Sequence, residues 1–255
     1  MRHGSLFSGI GGFDLAAEWM GWENVFHCEI NEFNKKVLRK HFKDSISYGN
    51  IKETDFTKHK GSIDVLTGGF PCQPYSGVGQ RKGKEDDRHL WPEMLRAIGE
   101  IQPPWVVGEN VRGFINWSNG LVFDEVQDDL EAKGYEIAPF LLPSCAVDAN
   151  HVRTRIFIIA HSKSFRRHTV DQNKQDGRKG FNMEVIEQTK NEWRRFGFDI
   201  YNNLEWPNDK SIGRLSRNDD GLSKGMDRLN GIGNAIVPQV VYEIFKAIQS
   251  VTDNR

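Results

Sequence analysis

The chain has 255 residues, of which 38% are hydrophobic and 27% charged, and its formal net charge is -1. This length suits one α/β domain, or one domain with a small insert. No apolar run reaches ~18 residues and the first residues lack the apolar stretch of a signal peptide, so we expect no membrane span and a cytoplasmic location. The three cysteines form no C-x-x-C pair and have no histidine at ligand spacing, which argues against a metal site and a disulfide framework.

The first predicted unit is a strand, a glycine loop and a helix. Residues 3–7 predict a short buried strand, and the loop "SGIGG" follows it. The stretch "FDLAAEWMGW" then has helical spacing, which places Phe13, Ala17 and Met20 along one face. This order is typical of the opening of a nucleotide-type α/β fold.

Strands and helices continue to alternate as far as residue 160. We predict further strands at 24–30, 62–69, 103–111 and 153–161, and helices at 31–42, 91–101 and 123–135. The alternation predicts a mostly parallel sheet that is covered by helices on both faces. Ligands of such sheets bind at the carboxyl ends of the strands. One cleft is therefore outlined by the residues that follow the predicted strands, which are Phe7–Gly12, Glu29, Asn50, Cys72 and Glu109.

A polar, basic segment interrupts this alternation. Residues 161–217 contain twelve Lys/Arg and eight Asp/Glu, which suits either a surface that contacts phosphates or a solvated insert. After it, a glycine turn leads into a helix with Val240, Ile244 and Ala247 along one face. We therefore predict three segments, namely a catalytic domain over 1–160, an insert over 161–225 and a return to the first domain over 226–255.

The stretch "GGFPCQPYSG" holds a single thiol between two prolines. Pro71 and Pro74 fix the backbone on either side of Cys72, which suits a nucleophile because its reach and angle decide its rate. The alternative is a small buried side chain in a turn. The carboxylate of Glu109 would raise the pKa of a thiol, so the two residues do not fit a hydrolase pair. They fit one substrate that the thiol attacks while the acid protonates a ring nitrogen.

The glycine loop "FSGIGG" predicts either close backbone approach to a cofactor or a tight packing turn. Its spacing is not G-x-G-x-x-G, so Gly9, Gly11 and Gly12 suit a cofactor that has no pyrophosphate. Glu29 follows about 20 residues later, where a carboxylate can accept hydrogen bonds from ribose hydroxyls. The alternative for Glu29 is an exposed residue at the start of a helix.

Six stretches of the chain occur in the order found in one enzyme family. They are "SLFSGIGGFD", "EIN", "GGFPCQPYSGVGQRKG", "GENV", "RTRIFIIA" and "RLNGIGNAIVPQV". With them the chain resembles the DNA (cytosine-5) methyltransferases over almost its whole length. The resemblance implies an α/β, Rossmann-like S-adenosylmethionine-dependent methyltransferase fold, with residues 161–225 as a small target-recognition region.

The resemblance also implies a reaction and the residues that perform it. Cys72 would add to carbon 6 of a flipped-out cytosine in double-stranded DNA, so that carbon 5 takes the methyl group of S-adenosyl-L-methionine and S-adenosyl-L-homocysteine is released. Glu109 would hold ring nitrogen 3, while Arg153 and Arg155 would stabilise the thiolate and hold the carbonyl oxygen of the base. A loop over residues 72–90 would close over the DNA. The residues implied in substrate contact are Gln73, Ser76, Gln80, Arg81 and Asn110, the last of which would orient the loop of Glu109.

The resemblance implies a cofactor pocket at the same sheet edge. Asn50 stands where the family usually has an aspartate, and its amide oxygen can still accept a hydrogen bond. His151 stands where many members have glutamine. The implied cofactor contacts are Phe7, Ser8, Gly9, Ile10, Gly11, Gly12, Glu29, Ile30, Asn50, Ile51, Pro71, Leu90, Asn234 and Ala235.

Two other functions stay open at this point. One branch of the family modifies transfer RNA, and the basic insert fits RNA as well as DNA. A catalytically silent DNA-binding protein would keep the fold without the reaction. For the enzyme we expect double-stranded DNA as the partner and a monomer.

Overall fold

Seven strands form one sheet in the computed structural model, which describes residues 1–71, 90–147, 153–163 and 235–253. The strands are β1 (Arg2–Leu6), β2 (Glu23–Cys28), β3 (Ile46–Tyr48), β4 (Val65–Gly68), β5 (Trp105–Val111), β6 (Tyr135–Pro143) and β7 (Thr154–Ser162). The helices are α1 (Gly12–Trp19), α2 (Glu32–His41), α3 (Trp91–Ile101), α4 (Leu121–Ala132) and α5 (Pro238–Asp253). The predicted strands and helices of the described ranges are confirmed, with ends that differ by a few residues.

The strand order is β3-β2-β1-β4-β5-β7-β6. The first five strands pair in parallel, whereas β7 pairs antiparallel with both β5 and β6. The predicted mostly parallel α/β sheet is therefore confirmed. The sequence pattern predicted no strand at β3, which has only three residues, and none at β6, where Pro139 and Pro143 are unusual for a strand. The position of β6 at the sheet edge accommodates them, because an edge strand has one side without ladder bonds.

Two apolar layers cover the sheet because side chains alternate between the faces of a strand. On one face, Leu66 and Val106 pack with residues of α3 and α4. On the other, Val65 and Val107 pack with residues of α1 and α5. Phe13, Ala17 and Met20 lie in this second layer, as do Val240, Ile244 and Ala247, so the predicted faces of both helices are confirmed.

Helix α5 packs against α1 in the described part of the chain. The rings of Trp22 and Phe245 stack with their centroids 4.6 Å apart, and Trp22 Nε1 donates to Gln249 Oε1 at 2.8 Å. These contacts fit the expected return of the chain to its first domain. Residues 164–234 lie outside the described residues, so the three segment boundaries stay predictions.

Polar side chains lie buried between α1 and the sheet. The two ring nitrogens of His3 lie 2.7 Å from Asn24 Oδ1 and 2.9 Å from Thr67 Oγ1. Burial lowers the pKa of His3 to about 4. Asp14 is fully buried nearby, and within the described residues neither of its carboxylate oxygens has a hydrogen-bond partner. Burial raises the pKa of Asp14 from 3.8 to about 7.

We expect Asp14→Asn to increase stability in a way that depends on pH. Folding raises the pKa of Asp14, so the protonated carboxyl group makes its full contribution to the free energy of unfolding below about pH 4. That contribution is lost as the pH rises through about 7. Asparagine does not titrate, so the variant gains on the wild type over this range, by up to roughly 4 kcal/mol at ~1.4 kcal/mol per pKa unit. Urea unfolding of both proteins between pH 4 and 8 measures the gain. A difference in the free energy of unfolding between the two proteins that stays constant with pH would contradict the raised pKa of Asp14.

Candidate active site

The sheet topology brings seven strand ends to one edge, the cleft edge. The carboxyl ends of the five parallel strands lie there, β7 begins there because it runs antiparallel to β5, and β6 ends there because it runs antiparallel to β7. In the register of these two strands, Val111 faces Arg155 and Glu109 faces Phe157. The carboxylate of β5 and the arginines at the start of β7 therefore lie side by side, although more than forty residues separate them in the sequence.

A partly buried ion pair occupies this edge. Arg155 Nε lies 3.0 Å from Glu109 Oε1, and the side chains are 23% and 13% exposed. Burial raises the pKa of Glu109 above its ordinary value, although the charges of Arg155 and Arg153 oppose this shift. The carboxyl group therefore holds a proton more readily than an exposed glutamate does.

The arrangement carries one acidic and two basic side chains. Burial first, and the neighbouring charge of Arg155 second, lower the pKa of Arg153. With Glu109 ionised, these three residues carry a net charge of +1 within a partly desolvated site. Such a site stabilises an additional anion, and a thiolate is one candidate.

Asn110 and Ser144 hold the segments beside the ion pair. Asn110 is buried, its Nδ2 donates to the carbonyl oxygen of Phe70 at 3.2 Å, and its Oδ1 accepts from Val111 N at 2.8 Å. Phe70 is followed by Pro71 and Cys72, so this bond anchors the chain just before the predicted nucleophile. Ser144 Oγ accepts from Arg153 N at 2.9 Å. A contact of Asn110 with the substrate stays a prediction, and its observed bonds fit a positioning role.

Two residues of the site, Gly69 and Ser144, were not predicted from the sequence. A Cβ atom on Gly69 would lie 3.3 Å from Glu109 Oε2, so the glycine lets β4 and the carboxylate approach closely. The position of Gly69 within "GGFPC" was the available signal. Ser144 has none, because its role follows from the pairing of β6 with β7.

The glycine loop after β1 has an open, left-handed backbone. Phe7 and Gly9 have φ angles of 51° and 56°. The positive φ of Phe7 is unfavourable for a residue with a side chain, and such strain is common at binding sites. Glu29 Oε2 accepts from Gly9 N at 2.7 Å and Oε1 accepts from Asn31 N at 2.7 Å, so Glu29 joins the loop to the end of β2.

Other predicted cofactor residues lie around this loop. Ser8 is buried and joins β1 to β2 through Cys28, whose backbone N donates to Ser8 Oγ at 3.2 Å. Ile30 follows β2 with 67% of its surface exposed, which is unusual for a large apolar residue. Asn50 caps the turn after β3, and Ile51 is buried in the core. The remaining predicted cofactor residues in the described ranges are Gly11 and four partly buried residues, namely Ile10, Pro71, Leu90 and Ala235.

Gly12 allows the C-terminal segment to reach this loop. A Cβ atom on Gly12 would lie 2.2 Å from Ile236 Cγ2 and 3.0 Å from the Ile236 carbonyl oxygen. Ala235 precedes that residue, so the predicted pocket residues from the two ends of the chain meet here.

The described cysteine Cys28 is a poor nucleophile, because burial raises the pKa of its thiol to about 12. Within the described residues, no group of three or more His, Cys, Asp or Glu could hold a metal ion, and no helix is long and apolar enough to cross a membrane.

The predicted site residues outside the described ranges are Cys72, Gln73, Ser76, Gln80, Arg81 and Asn234.

The family model of the C-5 cytosine-specific DNA methylases matches residues 1–214. The chain belongs to this family. It is 35% identical over 158 residues to the type II methyltransferase M.Eco47II of Escherichia coli, an alignment that covers 61% of this chain and 38% of that protein. It is 32% identical over 222 residues to the orphan methyltransferase M.Rho11sI of Bacillus phage rho11s, with 85% and 43% covered. The chain thus spans less than half the length of these relatives.

Solved structures show the same fold. The Spodoptera frugiperda DNMT2 mutant E260A/E261A/K263A has a TM-score of 0.61 at 17% identity, with 96% of this chain and 98% of that chain covered. The Entamoeba histolytica methyltransferase EhMeth has a TM-score of 0.53 at 23% identity, with 71% and 57% covered. The methyltransferase fold and the family expected from the sequence are therefore confirmed.

We expect Gly12→Ala to destabilise this methylase family member, because the added methyl group collides with Ile236. Overpacking of this kind costs about 1–3 kcal/mol. The matched control is Gly49→Ala, whose Cβ atom would have Lys35 Nζ, at 3.9 Å, as its nearest neighbour. Urea unfolding should show a lower free energy of unfolding for Gly12→Ala and little change for Gly49→Ala. Equal stabilities of the two variants would contradict the close approach of the C-terminal segment.

Proposed function

We propose that this protein transfers a methyl group from S-adenosyl-L-methionine to carbon 5 of a cytosine in double-stranded DNA, through a covalent bond between Cys72 and carbon 6. The main observation in support is the partly buried pair of Glu109 and Arg155 at the cleft edge of the sheet. Asn110, next to Glu109, binds the backbone two residues before Cys72. These contacts support the proposal, because a proton donor and a cation lie beside the backbone segment that leads to Cys72.

The cofactor pocket would be formed by the glycine loop and the ends of β2 and β3. The left-handed backbone at Phe7 and Gly9 opens the loop, and the exposed side chain of Ile30 offers an apolar surface for a nucleobase. The carboxylate oxygens of Glu29 keep lone pairs that can accept hydrogen bonds from ribose hydroxyls. The bound cofactor would supply an electrophilic methyl group.

The chain's own residues would perform the remaining chemistry. The Cys72 thiolate adds to carbon 6 while Glu109 donates a proton to ring nitrogen 3, which makes carbon 5 a nucleophile. The raised pKa of Glu109 favours this donation. Arg155 and Arg153 stabilise the thiolate and the carbonyl oxygen of the base. After methylation, a base from solvent takes the proton from carbon 5, the sulfur departs as the thiolate, and ring nitrogen 3 returns its proton to Glu109, which restores the ring and the enzyme.

A cytosine within a duplex must leave the base stack to reach Cys72. The contacts of Gln73, Ser76, Gln80 and Arg81 with DNA stay predictions, as does the recognition role of 161–225. A monomeric state and a cytoplasmic location also stay predictions.

Labelled methyl transfer tests the proposal. We expect the purified protein to transfer label from S-adenosyl-L-methionine to duplex DNA and not to transfer RNA. Label in transfer RNA alone would support the RNA branch of the family. DNA binding without transfer to any duplex would support the silent binding protein.

We also expect duplex DNA that contains 5-fluorocytosine to trap the protein covalently. Fluorine at carbon 5 cannot leave as the proton does, so the sulfur stays bonded to carbon 6. Cys72→Ser should form no adduct, and it should bind S-adenosyl-L-homocysteine with an affinity close to that of the wild type. Cys145→Ser is the matched control, because Cys145 is partly exposed and has no assigned role. Denaturing gels should show the adduct for the wild type and Cys145→Ser, and its absence from both would contradict the mechanism.

A further inference from the structure

We propose that Arg96 is a positioning residue for the turn that would bind the adenine of the cofactor. This inference rests on the proposed function, which puts the cofactor pocket at the ends of β2 and β3, where Asn50 and Ile51 form the turn after β3. Arg96 lies on α3 and acts through the backbone of the turn rather than by touching the cofactor.

The turn has little support from the sheet. It follows β3, an edge strand with three residues and only three paired positions with β2. Its internal hydrogen bonds fix its shape, since Asn50 Oδ1 accepts from Lys52 N at 3.1 Å and Asn50 Nδ2 donates to Glu53 Oε1 at 2.8 Å. These bonds join residues within the turn, so they do not set its distance from the rest of the pocket.

Arg96 adds hydrogen bonds that join the turn to α3, beside the packing of the buried Ile51 side chain in the core. Its Nη2 donates to the carbonyl oxygen of Ile51 at 2.6 Å, and its Nη1 donates to that of Thr54 at 3.2 Å. One rigid planar group therefore holds two carbonyl groups, one near each end of the turn. The side chain is only 34% exposed, which limits competition from water.

Two glutamates of α3 orient the guanidinium group. Glu93 Oε2 lies 2.9 Å from Arg96 Nε, and Glu100 Oε1 lies 2.6 Å from Nη1. Glu100 also accepts from Phe56 N at 2.9 Å through its other oxygen. Side chains of α3 thus form hydrogen bonds with three backbone groups of the segment after β3, and Arg96 makes two of these bonds.

This geometry leads to an effect on ligand selectivity. The Asn50 oxygen accepts one hydrogen bond from Lys52 and can accept a second from the amino group of adenine. A base with an oxygen in place of that amino group would face an acceptor with an acceptor, and a site built for a hydrogen bond rejects such an analogue. Arg96 should preserve this discrimination because it fixes the backbone that carries Asn50.

The test compares S-adenosyl-L-homocysteine with S-inosyl-L-homocysteine by isothermal titration calorimetry. We expect the wild type to bind the adenosine ligand at least about tenfold more tightly. Arg96→Met should weaken binding of the adenosine ligand by about tenfold or more and bring the two dissociation constants to within about threefold. Arg96→Lys should be intermediate, because an ammonium group cannot hold both carbonyl groups in the same way.

The matched control is Arg2→Met, which makes the same substitution at an exposed arginine at the start of β1, where the side chain pairs with the exposed Glu23. It should keep the affinity and the selectivity of the wild type. A binding stoichiometry near one shows that a variant is folded, and if Arg96→Met is not folded then Arg96→Lys decides. Unchanged affinity in the deciding variant, or equal weakening of both ligands, would overturn the inference. A wild type that binds neither ligand would instead contradict the proposed function on which the inference rests.

Discussion

The antiparallel pairing of β7 with β5 is the constraint on which the candidate active site depends. It places the first residues of β7 beside the last residues of β5, so that Arg155 lies opposite Val111 and reaches Glu109. A parallel β7 would carry the same arginines to the other edge of the sheet, roughly 25–30 Å away at about 3.3 Å per residue. The pairing of β7 with β5 and β6 therefore brings the positive charges of Arg153 and Arg155 to the cleft at the carboxyl ends of the parallel strands.

Burial and charge act in opposite directions on the resulting site. Burial favours the neutral form of Glu109, and the two arginines favour its ionised form. The net effect is a carboxyl group that is protonated more readily than an exposed glutamate, beside cations that stabilise a thiolate. A reaction that pairs attack by sulfur with protonation of a ring nitrogen needs both properties at once. This is why we favour cytosine methylation over a hydrolytic role for the thiol.

The elements that could be predicted from the sequence are those whose residues show a local pattern. Helix periodicity identified the buried faces of α1 and α5, and glycine- and proline-rich motifs identified the strand ends. Sequence reasoning missed β3, which is too short to show alternation, and β6, whose two prolines disguise an edge strand. It also could not find Ser144 or Arg96, because each acts on backbone groups of a segment distant in sequence. The family resemblance implied that Glu109 and Arg155 both act on the base, but only the strand register explains why their side chains meet.

The central claim is that the buried carboxyl group of Glu109 donates a proton to the base. The most direct measurement is the single-turnover rate of methyl transfer to duplex DNA by Glu109→Gln, with Glu136→Gln, at the opposite end of the sheet, as the control. The account predicts that Glu109→Gln slows transfer by about 100-fold or more while the affinity for S-adenosyl-L-homocysteine is unchanged. A rate within about threefold of both the wild type and the control would contradict it.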